Sequence, residues 1–309
     1  MEPAQMTRAL ILFTQESIDM GQAHPARLQS LLESNASQPI TVDMAVYDDL
    51  SYVLHASEQS ITVHSTGKTI DDYDVVYLRR IKESTAQAIA VGKYCRGRGI
   101  AVIDEEIATR PGSMGKLTQY MEFALAGLPF PATIYASSHD ILLKAIDTET
   151  VEYPVIMKSV SGSRGSDNYL VQSRTDLEST LLQHPKVHFV VQSFVPNSAD
   201  YRVWICGDTI GPILYRSRLS GHLNNTSQGS PAQLIDSAAL PQHVLEECIR
   251  AAALLKRDVA GVDVVFENDD ITGKYYFFEV NRAPQIEGTM FENEKAAALA
   301  DYMIQKAEE

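Results

Sequence analysis

Two apolar runs, Gly261-Val262-Asp263-Val264-Val265-Phe266 and Tyr275-Tyr276-Phe277-Phe278-Glu279-Val280-Asn281-Arg282-Ala283-Pro284, flank a turn containing Asn268, Asp269, Asp270 and Gly273. The pattern reads as a β-hairpin. Strand side chains alternate faces, so Glu279 and Asn281 share one face while Phe278 and Val280 take the other. Folding the hairpin about Ile271 sets Asp263 opposite Glu279. Asp263, Glu279 and Asn281 then converge as oxygen donors on an otherwise apolar hairpin. Carboxylate and amide oxygens are the ligands that hard Mg²⁺ takes, above all where substrate phosphates complete the shell. On spacing alone, a wet polar face of an amphipathic hairpin stays open as the alternative.

Other side chains bear on the same chemistry. Lys158 sits within the apolar run Val155-Ile156-Met157-Lys158-Ser159-Val160, where an unpaired ammonium is costly. A permanent anionic partner explains it, either a protein carboxylate or a bound phosphate. The next loop, Ser161-Gly162-Ser163-Arg164-Gly165-Ser166, is small enough for its backbone amides to approach an anion closely. Asp200-Tyr201-Arg202 and Tyr215-Arg216-Ser217-Arg218 bring arginines into an acidic chain. Arginine suits forked recognition of carboxylate or phosphate, although a single one is more often a surface ion pair.

Two standard nucleotide motifs are excluded. Arg110-Pro111-Gly112-Ser113-Met114-Gly115-Lys116-Leu117-Thr118 imitates a P-loop but has Arg110 at the first glycine position and Leu117 where Ser or Thr belongs. No Gly-x-Gly-x-x-Gly follows the first strand-like run, which removes a dinucleotide fingerprint.

The elements that must position these residues are legible as alternating apolar segments. Residues 7–13, 40–47, 74–79 and 100–104 read as strands, and 25–33 and 86–96 as helices, giving a small α/β domain with a mostly parallel sheet. Thr109-Arg110-Pro111-Gly112-Ser113 marks a boundary. A helix over 116–126 ends at Gly127, with Pro129 and Pro131 beyond. Strands over 155–160 and 169–172 precede a helix with the capping box Thr175-Asp176-Leu177-Glu178. Residues 188–195 form a β-branched strand, 202–206 and 209–216 a hairpin turning at Gly207-Asp208, and 241–256 and 295–306 helices. The polar stretch 217–233 reads as a mobile loop. The fold class is thus mixed, α/β and α+β.

Composition narrows the function. The chain has 309 residues, long for one core, with 45% hydrophobic and 21% charged residues, as in an ordinary globular protein. A net charge of −14 opposes a nucleic-acid surface, since little basic surface is there to displace phosphate counterions. No apolar run reaches the about 18 residues of a membrane span. Met1-Glu2-Pro3-Ala4-Gln5 does not begin a signal peptide. Three widely spaced cysteines, Cys95, Cys206 and Cys248, suit a reducing cytoplasm and offer neither a zinc nor a disulfide framework.

The order of the parts carries a resemblance: Lys116 on a helix, Lys158 on a strand, the Gly-rich loop, Val190-Val191-Gln192-Ser193-Phe194-Val195, Asp-x-Arg, Gly-Val-Asp, then Glu-Val-Asn-x-x-Pro. From the first strand onward the chain resembles the ATP-grasp superfamily, in particular the RimK-type carboxylate–amine ligases and the peptide-maturing ligases that build graspetide (microviridin-like) crosslinks. The paired Gly261-Val262-Asp263 and Glu279 to Gly288 segments are its most specific part, and Asp74-Val75-Val76-Tyr77-Leu78-Arg79-Arg80 is similar to the N-terminal domain of the peptide-maturing branch.

The resemblance implies an N-terminal Rossmann-like pre-ATP-grasp domain over 1–108, a central subdomain over 109–190 and a C-terminal subdomain over 191–309, with ATP held between the last two. It implies that Lys116 and Lys158 contact ATP phosphates beneath a lid of Gly162, Ser163, Arg164, Gly165 and Ser166. Gln192, Ser193, Phe194 and Val195 would form the adenine hinge, and Asp263, Glu279 and Asn281 would hold one or two Mg²⁺, with Mn²⁺ as a substitute. Arg202, with Arg216 or Arg218, would bind the γ-phosphate and the acyl group. The implied reaction is ATP-dependent amide formation on an amino acid or peptide through an acyl phosphate, or ester or amide crosslinking of a peptide. An ATP-grasp kinase and a non-catalytic nucleotide-binding protein are the rivals. A dimer or tetramer is compatible with the family. Ser220 to Gly229 and Asn281-Arg282-Ala283-Pro284 depart from the RimK pattern, and the first borders the acceptor site in the family, which leaves the substrate open.

Overall fold

Short apolar runs in the first hundred residues assemble a parallel sheet because each is separated from the next by a connection that returns the chain to the same end of the sheet. The computed structural model describes residues 6–109, 115–149, 151–160, 168–217 and 232–309. The first sheet follows β1 (Thr7–Phe13), α1 (Gln15–Asp19), α2 (Pro25–Asn35) and β2 (Ile40–Val46). An antiparallel three-stranded insert comes next, β3 (Leu50–Leu54), β4 (Gln59–Val63) and β5 (Lys68–Thr69), which the sequence reading missed. Then come β6 (Val75–Leu78), α3 (Thr85–Arg98), β7 (Ala101–Ile103) and α4 (Glu106–Thr109). The order β2-β1-β6-β7 is parallel throughout, as predicted.

The middle of the chain supplies α5 (Lys116–Ala126), β8 (Thr133–Tyr135), α6 (His139–Thr148), β9 (Val155–Ser159), β10 (Asn168–Val171), α7 (Arg174–Gln183) and β11 (Phe189–Ser193). Its sheet runs β10-β9-β11-β8, all antiparallel. The boundary read at residue 190 falls inside β11, whose residues pair with β9 and β8. Helix α5 matches its predicted span and ends at Gly127. The cap of α7 differs from expectation: Ser173 rather than Thr175 is the N-cap, its hydroxyl accepting from the Asp176 amide.

The last sheet, β14-β13-β12-β15-β16, comprises β12 (Ala199–Cys206), β13 (Thr209–Ser217), β14 (Ala232–Ile235), β15 (Val259–Phe266) and β16 (Tyr275–Arg282). One face, including Val203, Val262 and Val280, packs on α8 (Gln242–Leu254) and on Tyr120 and Phe123 of α5. Trp204 and Cys206 join the core made by α9 (Glu292–Glu308) and β1. The final helix therefore fastens the C-terminal sheet to the N-terminal one.

Candidate functional site

Four neighbouring strands bring the charged residues into one row. Residues directly opposite in an antiparallel pair share a face, as do residues two apart on one strand. Arg216 lies opposite Asp200, Arg202 opposite Asp263, Asp263 opposite Glu279, and Gly261 opposite Asn281. The register anticipated for Asp263 and Glu279 is the observed one, and a bulge follows immediately after Asp263.

Forked ion pairs connect the row. Arg202 donates to Asp263 through Nε (2.7 Å) and Nη2 (2.7 Å). Arg216 grips Asp200 with the same fork, at 2.7 Å twice, and adds Nη2 to Asp263 Oδ1 at 2.9 Å. Asn281 Nδ2 donates to Asp263 Oδ2 at 3.1 Å. Burial alone would raise the Asp263 carboxyl, but the charges of Arg202 and Arg216 hold it below its ordinary value. Burial raises Asp200 to about 6 against the pull of Arg216.

The lysine on β9 approaches from the neighbouring sheet. Lys158 Nζ stands 4.7 Å from the centroid of Phe278, a cation–π contact. Its pKa is lowered to about 8 by burial; Glu279 opposes the fall, Lys116 adds to it, and Asp263 opposes it. Lys158, Lys116, Glu279 and Asp263 thus share one electrostatic neighbourhood. Lys116 is the first residue of α5.

Not every predicted side chain is presented to a ligand. Arg216 is 2% exposed and its guanidinium pairs with two protein carboxylates, Asp200 and Asp263. The Gln192 side chain is buried and turned inward, donating to Thr133 Oγ1 (2.8 Å) and accepting from Tyr120 (3.3 Å). Ser193 is exposed, Phe194 partly buried and Val195 buried. Gly162, Ser163, Arg164, Gly165, Ser166 and Arg218, together with 220–229, lie outside the described residues.

Sequence reasoning passed over several residues of this region. Asp200 was read only as part of an ion-pair motif, although its place two residues before Arg202 put both on one strand face. Gln119 accepts from the Val280 amide at 3.1 Å, and Tyr120 donates to the Phe278 carbonyl at 2.9 Å. Together they tie α5 to the strand carrying Glu279. Lys295 is buried, with Nζ on Thr289 Oγ1 (2.9 Å) and the Met290 carbonyl (2.7 Å). A separate polar cavity of about 280 Å³, lined by Arg96, Glu105, Glu106, Lys256, Asp258 and Lys306 among others, contains none of the predicted site residues.

Two carboxylates and an amide beside a lysine pair form a donor set suited to a hard divalent cation carrying phosphates. The donor set lies on the five-stranded sheet, on the paired strands β15 and β16. The chain belongs to the RimK-like ATP-grasp family, whose domain matches residues 115–306. It is 28% identical over 249 residues to a probable alpha-L-glutamate ligase of Sodalis glossinidius, covering 79% of this chain and 81% of that protein. Its fold is similar to that of the ATP-grasp ligase PsnB, solved with a phosphomimetic variant of its minimal precursor, Mg and ADP. The TM-score is 0.70 at 18% identity, covering 97% of this chain and 98% of the other. A RiPP-associated ATP-grasp ligase of Chryseobacterium gregarium, in complex with ADP and a leader and core peptide, gives 0.67 at 15% identity, covering 97% of each chain.

Proposed function

We propose that this ligase joins a carboxylate to an amine on an amino acid or peptide substrate, using ATP and Mg²⁺ and passing through an acyl phosphate. The observation that carries the proposal is the single row formed by Arg202, Asp263, Glu279 and Asn281, facing Lys158. Asp263, Glu279 and Asn281 would hold the cation, which when bound neutralises charge on the phosphates. One ion or two, and Mn²⁺ in its place, are compatible with this donor set.

In the proposed mechanism a carboxylate oxygen of the substrate attacks the γ-phosphorus and ADP leaves. The amine then attacks the acyl carbon, loses a proton, and expels phosphate carrying the original carboxylate oxygen. Lys158 and Lys116 bind the transferring phosphates. Arg202, on the more open side of Asp263, meets the anion that develops at the acyl group. Arg216 acts through Asp263 as a fixed counterion. Residues 193–195 would present backbone to the adenine edge. We place the protein in a reducing cytoplasm, consistent with Cys95, Cys206 and Cys248 being free and buried. No helix among the described residues is long and apolar enough to cross a membrane.

A hydroxylamine trap tests this reading. Enzyme, Mg-ATP and pools of amino acids or acidic peptides should yield ADP and a hydroxamate with one pool, and Glu279→Gln should abolish it. ATP-dependent formation of a stable phosphorylated product without hydroxamate would point instead to a kinase.

A further inference from the structure

Asp263 has no unoccupied acceptor site. An ionised carboxylate offers roughly four lone-pair positions. Oδ1 accepts Arg202 Nε at 2.7 Å and Arg216 Nη2 at 2.9 Å, while Oδ2 accepts Arg202 Nη2 at 2.7 Å and Asn281 Nδ2 at 3.1 Å. A cation that takes Asp263 as a ligand must therefore displace a donor.

The three donors are not equally held. Arg216 is buried and is clamped by its own fork on Asp200. Asn281 also leans on the Gly261 carbonyl at 3.4 Å. Arg202 has a side chain 21% exposed and, among the described residues, directs both its hydrogen bonds to Asp263. Its stem crosses the bare backbone of Gly261, where a Cβ would come 3.3 Å from Arg202 Cδ. Withdrawing Arg202 would open one position on each carboxylate oxygen and leave Arg216 in place.

We propose that Arg202 is an exchangeable counterion, displaced from Asp263 by the divalent cation and thereby delivered to the anion of the reaction. Asp200 is the positioning residue that makes Arg216 the counterion that stays. Linkage then requires reciprocity: an anion that draws Arg202 away strengthens cation binding, and the cation strengthens anion binding. The inference rests on the proposed metal role of Asp263.

Mn²⁺ binding to the full chain without nucleotide, followed by electron paramagnetic resonance, tests it. Arg202→Ala should bind Mn²⁺ more tightly than the native protein, by about tenfold. Arg202→Lys, which keeps the charge but not the fork, should fall between them and serves if the alanine variant does not fold. Sulfate should strengthen Mn²⁺ binding in the native protein and have no such effect in Arg202→Ala. Mn²⁺ binding lost in Asp263→Asn yet no tighter in either Arg202 variant would overturn the exchange alone. Mn²⁺ binding that survives Asp263→Asn would remove the metal role of Asp263 and this inference with it.

Discussion

Glu279 stands opposite Asp263 and interacts electrostatically with Lys158, and its substitution separates charge from shape. Glu279→Gln keeps the volume but removes the charge of a proposed metal ligand. Turnover should fall by about 10³-fold, several kcal/mol of transition-state stabilisation, in an ADP-release assay. An unchanged rate would leave Glu279 a surface carboxylate. Lys295 makes a prediction of opposite character. Burial first, then the charges of Arg202 and Arg216, lower its pKa to about 8. Below that pH it is protonated in both states; between about 8 and its ordinary value the unfolded chain binds more protons, so stability rises with pH. Against Lys295→Met, native protein should gain up to about 1.4 kcal/mol per pH unit above 8 in urea denaturation. A flat difference would mean the amine is not depressed. At this scale Asp263, Glu279 and Asn281 were legible because strand alternation is a local rule. The inward turn of Gln192 and the capture of Arg216 by Asp200 were not, because they depend on which distant strands become neighbours.

The elements that carry these residues were read where signals are local, as in α5 with its Gly127 end or the β12–β13 hairpin turning at Gly207-Asp208. The insert β3-β4-β5 escaped because its strands are short and mostly partly exposed or polar, without a clean alternation. Gly207 shows how a turn is fixed by its packing as well as its dihedral. It adopts φ +62°, and a Cβ there would come 2.6 Å from Cε2 of Tyr302, a mostly buried ring on α9. Gly207→Ala should therefore cost about 1–3 kcal/mol in urea unfolding, from left-handed strain and overpacking together. Tolerance of alanine within a few tenths of a kcal/mol would show that α9 yields at this contact.

Across the whole molecule, the site is held by long-range ties that no local pattern announces. Arg79, at the end of β6, is fully buried with Glu287 at 3.4 Å and the Pro284 carbonyl at 3.0 Å. Glu287 also accepts the His24 amide at 3.2 Å. This pair fastens the N-terminal sheet to the segment that follows Asn281. Arg79→Met leaves the Glu287 charge buried and uncompensated, and should cost about 3–5 kcal/mol of unfolding free energy. Arg79→Met combined with Glu287→Leu should recover much of that loss; a double variant no better than the single one would mean the pair is not the tie. The fold as a whole was legible because the order of motifs along the chain survives divergence, whereas these ties depend on packing between segments some 200 residues apart in sequence. The acyl phosphate is what this assembly is proposed to make, and isotope transfer reads it directly. With the carboxylate of a hydroxamate-yielding substrate labelled with ¹⁸O, turnover with Mg-ATP should place one ¹⁸O in each released phosphate. Amide formation with unlabelled phosphate would contradict the acyl-phosphate route.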